Sequence, residues 1–439
     1  MGFLLDLARG AGDAAAYHMN AQLFRAAIAW GILASGVWAR GASQPASGVW
    51  QVGKPIVTYW AGPPMTDATA QQMAEGGWNL VWCGEKELDV AARRGLRGQL
   101  QDPLLTPASL DDPAQRQKLD ALVARVRQHP ALYSYFITDE PCATNFPPLG
   151  RLVAYLREHD PAHLAYINLF PTYASNEQLG NRGDKVSAYR EHLQQYVDIV
   201  KPSLISWDHY QFTTNGDTAD YFLNLAMVRR AAEAAGLPFL NIVQAASWDP
   251  SVRVPDSDEV RYLVYTTLAY GAQGISYYVY CCAGHKGGIA EADGTPTSLY
   301  WALKSFNREF EAIAGQLQPL RSLGVYHAGM RPPGTEPLSA EAGLVLEPPV
   351  PAMDYKLRER VKGVLIGSFG VPGKRGRAAV PSSFVVVNLD YRTEQTVKVR
   401  GLRRLEVFDA TTGRWTRTRS KTAELKLGPV AWKLVRVQR

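Results

Sequence analysis

Carboxylate side chains follow two short apolar runs of this sequence. Asp139-Glu140 comes after YFIT and before Pro141, and Asp208 lies in SWDHY. A pair of carboxyl groups can break an acetal bond when one donates a proton and the other attacks carbon or activates water. A glutamate pressed against aromatic rings has a raised pKa, which suits the proton donor. We therefore expect Glu140 to be the general acid and Asp208 its partner, with Asp249 as the alternative partner.

Amide, phenol and indole side chains accompany these carboxylates. Amides and phenols hydrogen-bond hydroxyl groups, and flat rings can cover the apolar face of a sugar. Simple packing remains open for His209 and the tyrosines, and a structural hydrogen bond remains open for the two amides. No Cys-x-x-Cys pair is present, and we expect no metal and no cofactor. The mixture favours a carbohydrate ligand bound by Trp60, Trp82, Asp139, Asn168, His209, Tyr210, Gln244, Tyr278 and Tyr280.

Eight apolar runs alternate with helical patterns between residues 54 and 317. Apolar strands without strict alternation, separated by amphipathic helices, indicate a parallel sheet. Eight such units predict a closed (β/α)8 TIM barrel, whose reacting groups lie at the carboxyl ends of the strands. An open doubly wound sheet is the alternative, but WAGPP at 60–64 lacks the glycine-rich phosphate turn of that fold. The predicted strands are 55–60, 79–83, 96–100, 132–138, 164–170, 204–210, 239–245 and 274–280.

Residues 318–439 have a different texture. Short β-rich runs separated by Gly, Pro, Asn and Asp predict a small antiparallel β-sandwich. This part carries 22 Lys and Arg against 10 Asp and Glu, so the rest of the chain is acidic on balance. That distribution argues against a nucleic-acid-binding protein. The basic part would fit an anionic polysaccharide, although a solvated arginine-rich surface explains the same counts.

The first 42 residues have the order of an export signal with an extension before it. Arg25 precedes the apolar run 26–37, and small residues follow, as in a secretory signal. The run is too short to span a bilayer, which takes about 20 residues, and a buried amphipathic helix is the alternative. We expect a secreted or periplasmic protein with a linker at 43–53 and no stable membrane insertion after signal removal. Four cysteines allow three disulfide pairings, but buried thiols are expected.

Several stretches resemble clan A glycoside hydrolases. YFITDEP (135–141) is similar to the fourth-strand signature of that clan, and EVRYLVYTTLAYGAQGISYYVY (259–280) is similar to the passage into the eighth strand of β-galactosidase-like barrels. The segments 160–174 and 293–313 extend the resemblance over residues 54–320. It implies that Glu140 is the acid/base and that Asp139 contacts the sugar beside the scissile bond. The clan's nucleophile is a glutamate at the end of strand seven, where this sequence has Gln244.

We therefore expect an exported glycoside hydrolase that cleaves O-glycosidic bonds of a poly- or oligosaccharide by carboxylate acid/base catalysis. Because the glutamate of strand seven is missing, a non-catalytic glycan-binding barrel is a second hypothesis. A barrel enzyme of another class, such as a polysaccharide lyase or an isomerase, is the third.

Overall fold

A computed structural model of the chain describes residues 52–371 and 379–438. These residues belong to one compact unit. The predicted export signal and all but the end of the predicted linker lie outside the described residues. Among the helices that are described, none is long and apolar enough to cross a bilayer. All four cysteines are described, and each is a free thiol.

Eight parallel strands alternate with eight main helices in the first part of the chain. The strands are β1 (Ile56–Trp60), β2 (Leu80–Cys83), β3 (Arg97–Leu100), β4 (Leu132–Asp139), β5 (Leu164–Leu169), β6 (Ile205–His209), β7 (Phe239–Gln244) and β8 (Gly274–Tyr278). The helices that follow them in turn are α1 (Asp67–Glu75), α2 (Leu88–Arg93), α3 (Pro113–Val126), α4 (Phe146–His159), α5 (Lys185–Gln195), α6 (Tyr221–Ala235), α7 (Ser257–Ala269) and α8 (Ser298–Leu317).

The eight strands form one sheet in the order β1-β8-β7-β6-β5-β4-β3-β2. The two end strands meet through one backbone hydrogen bond and through side-chain hydrogen bonds rather than through a regular ladder. Asn79, just before β2, donates its backbone N–H to the Val57 carbonyl and accepts the Val57 N–H on its side chain, both at 3.0 Å. Trp82 Nε1 donates to the Tyr59 carbonyl at 2.7 Å. These bonds close the sheet, which confirms the predicted (β/α)8 barrel.

Local sequence signals set the helix ends. The Asp112 carboxylate accepts from the Ala114 N–H at 2.8 Å, and Pro113 takes the first helical position of α3, where its missing N–H costs nothing. Asp256 and Glu259 form a reciprocal capping box at the start of α7. Gly236 ends α6 with φ = 67°, a left-handed conformation that glycine adopts readily. The helices thus start and stop where short polar side chains and glycine satisfy or release the backbone.

The rest of the described chain forms two antiparallel sheets. The strands are β9 (Arg321–Gly329), β10 (Leu344–Leu346), β11 (Gly363–Gly370), β12 (Ser383–Asn388), β13 (Gln395–Gly401), β14 (Leu405–Asp409), β15 (Arg414–Arg417), β16 (Thr422–Leu427) and β17 (Trp432–Val437). A seven-stranded sheet runs Glu336–Pro337, β9, β11, β12, β17, β14, β15, and a three-stranded sheet runs β10, β13, β16. Only the short strand Glu336–Pro337 pairs in parallel. Apolar side chains of both sheets share one core, as predicted for a β-sandwich.

The seven-stranded sheet is covered on both faces. Val364 and Ile366 of β11 point into the sandwich core, whereas Leu365 and Phe369 join the core that contains the barrel helices. Gly367 lies against the end of α7 so closely that a Cβ atom there would stand 2.0 Å from the Ala269 carbonyl oxygen. The predicted domain boundary at 317/318 falls between α8 and β9. The sandwich therefore packs directly on the barrel.

Candidate active site

A bulge in β4 aims Asp139 into the barrel. Phe136 pairs with Tyr166 of β5, but the next partners are Thr138 with Ile167 and Asp139 with Asn168, so β4 contains one extra residue. A bulge shifts the alternation of side chains by one position. Asp139 consequently faces the same side of the sheet as Phe136, which a regular strand would not allow.

Glu140 follows with a strained backbone. Its φ is +43°, in the left-handed region that costs a residue with a Cβ atom about 1–2 kcal/mol. Its N–H still donates to the Asn168 carbonyl at 2.9 Å, so the parallel ladder holds the strained residue in place. The side chain is half-buried. Strain of this kind persists where the surrounding structure fixes it, and it is common at functional sites.

One amide connects two of the carboxylates. Asn168 Nδ2 donates to Asp139 Oδ1 at 3.0 Å and to Asp208 Oδ2 at 3.1 Å. Its own carbonyl accepts from the Ser206 hydroxyl at 3.0 Å, and Ser206 bonds the Tyr166 hydroxyl at 2.8 Å. This buried chain fixes which way the amide points, because only the Nδ2 end can donate to carboxylates.

Burial raises the pKa of all three carboxyl groups, and repulsion from neighbouring carboxylates adds to the rise for Glu140 and Asp208. Burial raises the pKa of Asp139 to about 6, although the hydrogen bond from Asn168 opposes the rise. Burial, then repulsion from Asp208 and Asp139, raises the pKa of Glu140 well above its usual range. Burial and repulsion from Asp139 do the same for Asp208, against the hydrogen bonds of Asn168 and Tyr210. Among the described residues, no Lys or Arg forms an ion pair with these three groups.

Ionisation of one of the three carboxyl groups disfavours ionisation of the others, because like charges held close together in a desolvated site repel one another. The cluster therefore favours states in which one carboxyl group holds a proton and another is ionised. Asp208 is 5% exposed. Its Oδ1 atom has no hydrogen-bond partner of good geometry within the described residues. The arrangement can donate one proton and accept another at the same cleft.

An aromatic wall borders the carboxylates. It consists of Tyr210, which follows β6, Trp248, which follows β7, and Tyr278 at the end of β8. The Tyr210 ring lies 4.5 Å from Trp248 and 5.0 Å from Tyr278, and Trp248 lies 4.8 Å from Tyr278. His285 Nε2 is 3.1 Å from the Tyr278 hydroxyl. Half-exposed rings beside a cluster of acids provide flat apolar surface next to hydrogen-bonding groups.

Sequence reasoning did not include Tyr173 and His285 among the site residues. Tyr173 is 43% exposed and accepts the Tyr210 N–H at 3.4 Å. Burial and the charges of Asp208 and Glu140 raise its pKa well above 10, so it belongs to the same cleft. Both residues lie in loops after strands, where apolar periodicity carries no signal about the path of the chain.

Trp60 and Trp82 lie inside the barrel. The Trp60 ring is 4.9 Å from Trp82 and 5.7 Å from Phe136, and Trp60 is buried. Trp82 is half-buried, with its Nε1 bonded to the Tyr59 carbonyl. Trp60 pairs in register with Tyr278, so both are at the carboxyl end of the sheet. These indoles fill the interior beside the cleft.

His209 and Tyr280 lie away from the carboxylates. His209 follows Asp208 on β6 and so faces the opposite side, where its two nitrogens bond Asn224 and Thr218, each at 3.0 Å. Burial lowers its pKa to about 4. Tyr280 is buried against Tyr59 and accepts from Gln72. These two side chains have no free polar group directed at the cleft.

Gln244 occupies the end of β7 and bonds only to backbone. Its Nε2 donates to the carbonyls of Phe212, at 3.0 Å, and Arg253, at 2.7 Å, and its Oε1 accepts the Phe212 N–H at 2.9 Å. Asp249, the alternative carboxylate, accepts from the Ser251 N–H and hydroxyl, and the hydroxyl bond lowers its pKa. Gln244 thus secures the loops around the cleft, and Asp249 stabilises a turn.

His159 and His163, in the segment HDPAH, have the i, i+4 spacing of a metal-binding pair. His159 bonds the Tyr155 carbonyl and His163 bonds Asp160. Within the described residues, no group of three or more His, Cys, Asp or Glu side chains has the geometry of a metal site.

No family model and no curated protein matches this chain. Solved structures do match it. A β-galactosidase from a psychrophilic Marinomonas has a TM-score of 0.43 at 14% identity, over 61% of this chain and 62% of that one. A family 39 glycoside hydrolase from Bacteroides cellulosilyticus has a TM-score of 0.47 at 10% identity, over 88% and 82%.

A β-galactosidase from the haloarchaeon Halorubrum lacusprofundi has a TM-score of 0.48 at 11% identity, over 87% of this chain and 99% of that one. The chain spans less than two thirds of the Marinomonas enzyme. These similarities concern the fold. Two of these structures are named as β-galactosidases and one as a family 39 glycoside hydrolase.

Proposed function

We propose that this protein is a glycoside hydrolase that cleaves O-glycosidic bonds of a poly- or oligosaccharide. The observation that carries the proposal is the gathering of Asp139, Glu140 and Asp208 around Asn168 at the carboxyl end of the barrel. An aromatic wall beside these acids supplies a surface for a sugar ring. Enzymes that break acetal bonds commonly use carboxyl groups whose pKa values are raised by burial and by the charge of a neighbouring carboxylate.

Glu140 is the proton donor in this proposal. Burial and the charges of Asp208 and Asp139 raise its pKa, which favours the protonated form, and its side chain is only half-buried, so it can approach the glycosidic oxygen. The bond from the anomeric carbon to that oxygen breaks as the proton is transferred. Asp208, ionised, either attacks the anomeric carbon to form an ester or takes a proton from the water that attacks this carbon. In the first case Glu140, now ionised, takes a proton from a water that displaces Asp208 from the anomeric carbon and releases the sugar. Asp139 and Asn168 hold the sugar hydroxyls, and Asn168 also keeps Asp208 in position.

The sugar at the cleft is neutral in this proposal. An acidic cluster without a paired Lys or Arg among the described residues would repel a uronate. An anionic polysaccharide would instead meet the basic residues of the sandwich, and export to the periplasm or the medium would bring the enzyme to such a polymer. Glycan binding by that domain should then weaken as salt screens the contacts.

The test is Glu140→Gln. The amide keeps the size of the side chain but has no proton to transfer, so hydrolysis of a broad glycan panel should fall by about 10²–10⁴-fold, while binding measured by calorimetry persists. Asp249→Asn, at a turn near the cleft, is the matched control and should keep wild-type turnover. Equal turnover by Glu140→Gln and the wild type would refute the proposal.

A glycan-binding barrel without catalysis is the second candidate, favoured by Gln244. The end of β7, where clan A enzymes hold their nucleophile, has an amide bonded to loop backbone. This candidate predicts oligosaccharide affinity without release of reducing ends. A lyase would instead form an unsaturated product that absorbs in the near ultraviolet.

A further inference from the structure

An arginine of the C-terminal sandwich reaches the barrel end that carries the candidate active site. Arg360, between β10 and β11, forms an ion pair with Glu259 of α7, and its guanidinium lies 4.5 Å from the centre of the Tyr391 ring. Tyr391 in turn stacks on Tyr262 of α7 at 4.7 Å. Glu259 is 1% exposed and the Arg360 side chain is 32% exposed, so the ion pair is half-buried.

Glu259 also holds the loop after β7. Arg253 donates to both Glu259 oxygens, at 2.6 and 2.8 Å, and the Asp256 N–H donates at 2.9 Å. Burial alone would raise the pKa of Glu259, but these bonds lower it below its usual value. One carboxylate therefore joins an arginine of the sandwich to an arginine of a barrel loop. We call Arg253, Glu259 and Arg360 the interdomain clamp.

The clamp supports the loop after β6 as well. The Arg253 guanidinium lies 4.8 Å from the Phe212 ring, and the backbone N–H of Arg253 donates to the Phe212 carbonyl at 3.2 Å. The Thr214 N–H donates to the Ser251 carbonyl at 2.8 Å. Phe212–Thr213 pairs with Gly216–Asp217 as a hairpin. The two loops thus form one layer.

A second sandwich contact covers the tip of that hairpin. Gly216, with φ = +101°, is so close to Arg358 that a Cβ atom would stand 2.7 Å from the Arg358 carbonyl oxygen. Arg358 also bonds the Asn215 carbonyl at 3.4 Å. The sandwich therefore contacts the tip of this layer at Arg358 and is joined to it at Arg360 through the clamp.

We infer that Arg360 is a positioning residue through which the sandwich holds the aromatic wall of the barrel. Tyr210 lies two residues before Phe212, and Trp248 lies five residues before Arg253, so the layer fixes both rings. Asp208 lies within β6 and Glu140 directly follows β4, so neither carboxylate is part of the layer. The inference rests on the proposed function only where it concerns substrate.

Loss of the clamp should therefore weaken sugar binding and leave the chemical step intact. Arg360→Met removes the charge and keeps the bulk, while Arg253 still satisfies Glu259. We expect KM for the para-nitrophenyl glycoside that the wild type cleaves fastest to rise about 5- to 10-fold, with kcat within about twofold of wild type. Arg360→Lys, which keeps the charge, should recover most of the affinity.

Hydrogen exchange gives a readout that needs no substrate. In Arg360→Met, amides of residues 212–217 and 251–253 should exchange about 10-fold faster than in the wild type. Local opening of these two loops then no longer requires the ion pair between Arg360 and Glu259 to break. Amides of β4 to β6 should be unchanged. Arg400→Met is the matched control, since Arg400 pairs with Glu347 in the sandwich, away from the clamp.

The outcomes separate the two proposals. A wild-type protein that cleaves no glycoside contradicts the proposed function, and faster exchange in Arg360→Met would still support the clamp. Wild-type exchange and KM in Arg360→Met would overturn the inference. So would a fall in kcat at unchanged KM, or the same loop opening in Arg400→Met, since each would assign Arg360 a different role.

Discussion

Asn168 donates from one amide nitrogen to both Asp139 and Asp208, and each bond lowers the pKa of its acceptor. Asn168→Ala removes both donors, so the pKa of Asp139 should rise above its present value of about 6, and that of Asp208 should rise with it. If ionised Asp208 is the base, the acidic limb of kcat/KM moves to higher pH, by about one unit. The pH profile of kcat/KM measures this shift.

Ser206→Ala provides the comparison for that experiment. It removes the hydroxyl that donates to the Asn168 carbonyl but leaves the amide nitrogen between the two carboxylates, so the acidic limb should move less. An acidic limb that stays in place in Asn168→Ala would mean that neither Asp139 nor Asp208 controls it.

At the residue scale, the sequence predicts which side chains meet at the cleft where the ends of strands fix their positions. Asp139, Glu140 and Asp208 follow apolar runs, and the structure brings them together with Asn168, Tyr210 and Tyr278. His209 could have been excluded by alternation, since it is adjacent to Asp208 on one strand and must face the other way. Tyr173 and His285 were not predictable, because the path of a loop depends on tertiary contacts that no local pattern encodes.

At the scale of elements, Gly367 sets how closely β11 can approach α7. A Cβ atom there would meet the Ala269 carbonyl at 2.0 Å, and backbone cannot move aside cheaply. Gly367→Ala should lower the free energy of unfolding by about 1–3 kcal/mol through overpacking. Urea denaturation measures the change.

Gly315→Ala is the matched control, because Gly315 is exposed on α8 with no atom within 4 Å of a new Cβ. Alanine favours helix there and should stabilise the protein by about 0.5–1 kcal/mol. Equal effects of the two substitutions on the free energy of unfolding would mean that β11 and α7 can move apart at little cost to accept the new Cβ atom.

The ends of the eight barrel strands were predictable within a residue or two, because each strand is a short run bounded by turns and amphipathic helices. The bulge in β4 was not, since an extra residue leaves no mark in an apolar run, and yet it aims Asp139 inward. Strands β11 and β12 are buried throughout and show no alternation. Their sequences indicate burial on both faces, but not that one of the covering layers is the barrel.

At the scale of the whole molecule, the barrel and the sandwich share an interface in which charge is costly. His327 of β9 is buried there, 4.7 Å from the Phe222 ring and 3.4 Å from the Tyr270 hydroxyl. Its Nδ1 atom has no hydrogen-bond partner among the described residues. Burial lowers its pKa to about 3, so the imidazole stays neutral while the chain is folded.

This linkage predicts how stability depends on pH. Unfolded histidine titrates near pH 6.5, so between about pH 6.5 and 3 the unfolded chain binds a proton that the folded chain refuses. The contribution of His327 is therefore present above pH 6.5 and is lost as pH falls toward 3, by about 1.4 kcal/mol per unit. Asp139 and Asp217, whose pKa burial raises to about 6, act in the opposite direction, but equally in wild type and variant.

His327→Gln should cost stability at pH 7 through lost packing, and that cost should shrink or reverse at pH 4 because glutamine does not titrate. Denaturant unfolding of both proteins at the two pH values measures the difference, and an equal cost at both would show that His327 is protonated without penalty in the folded protein.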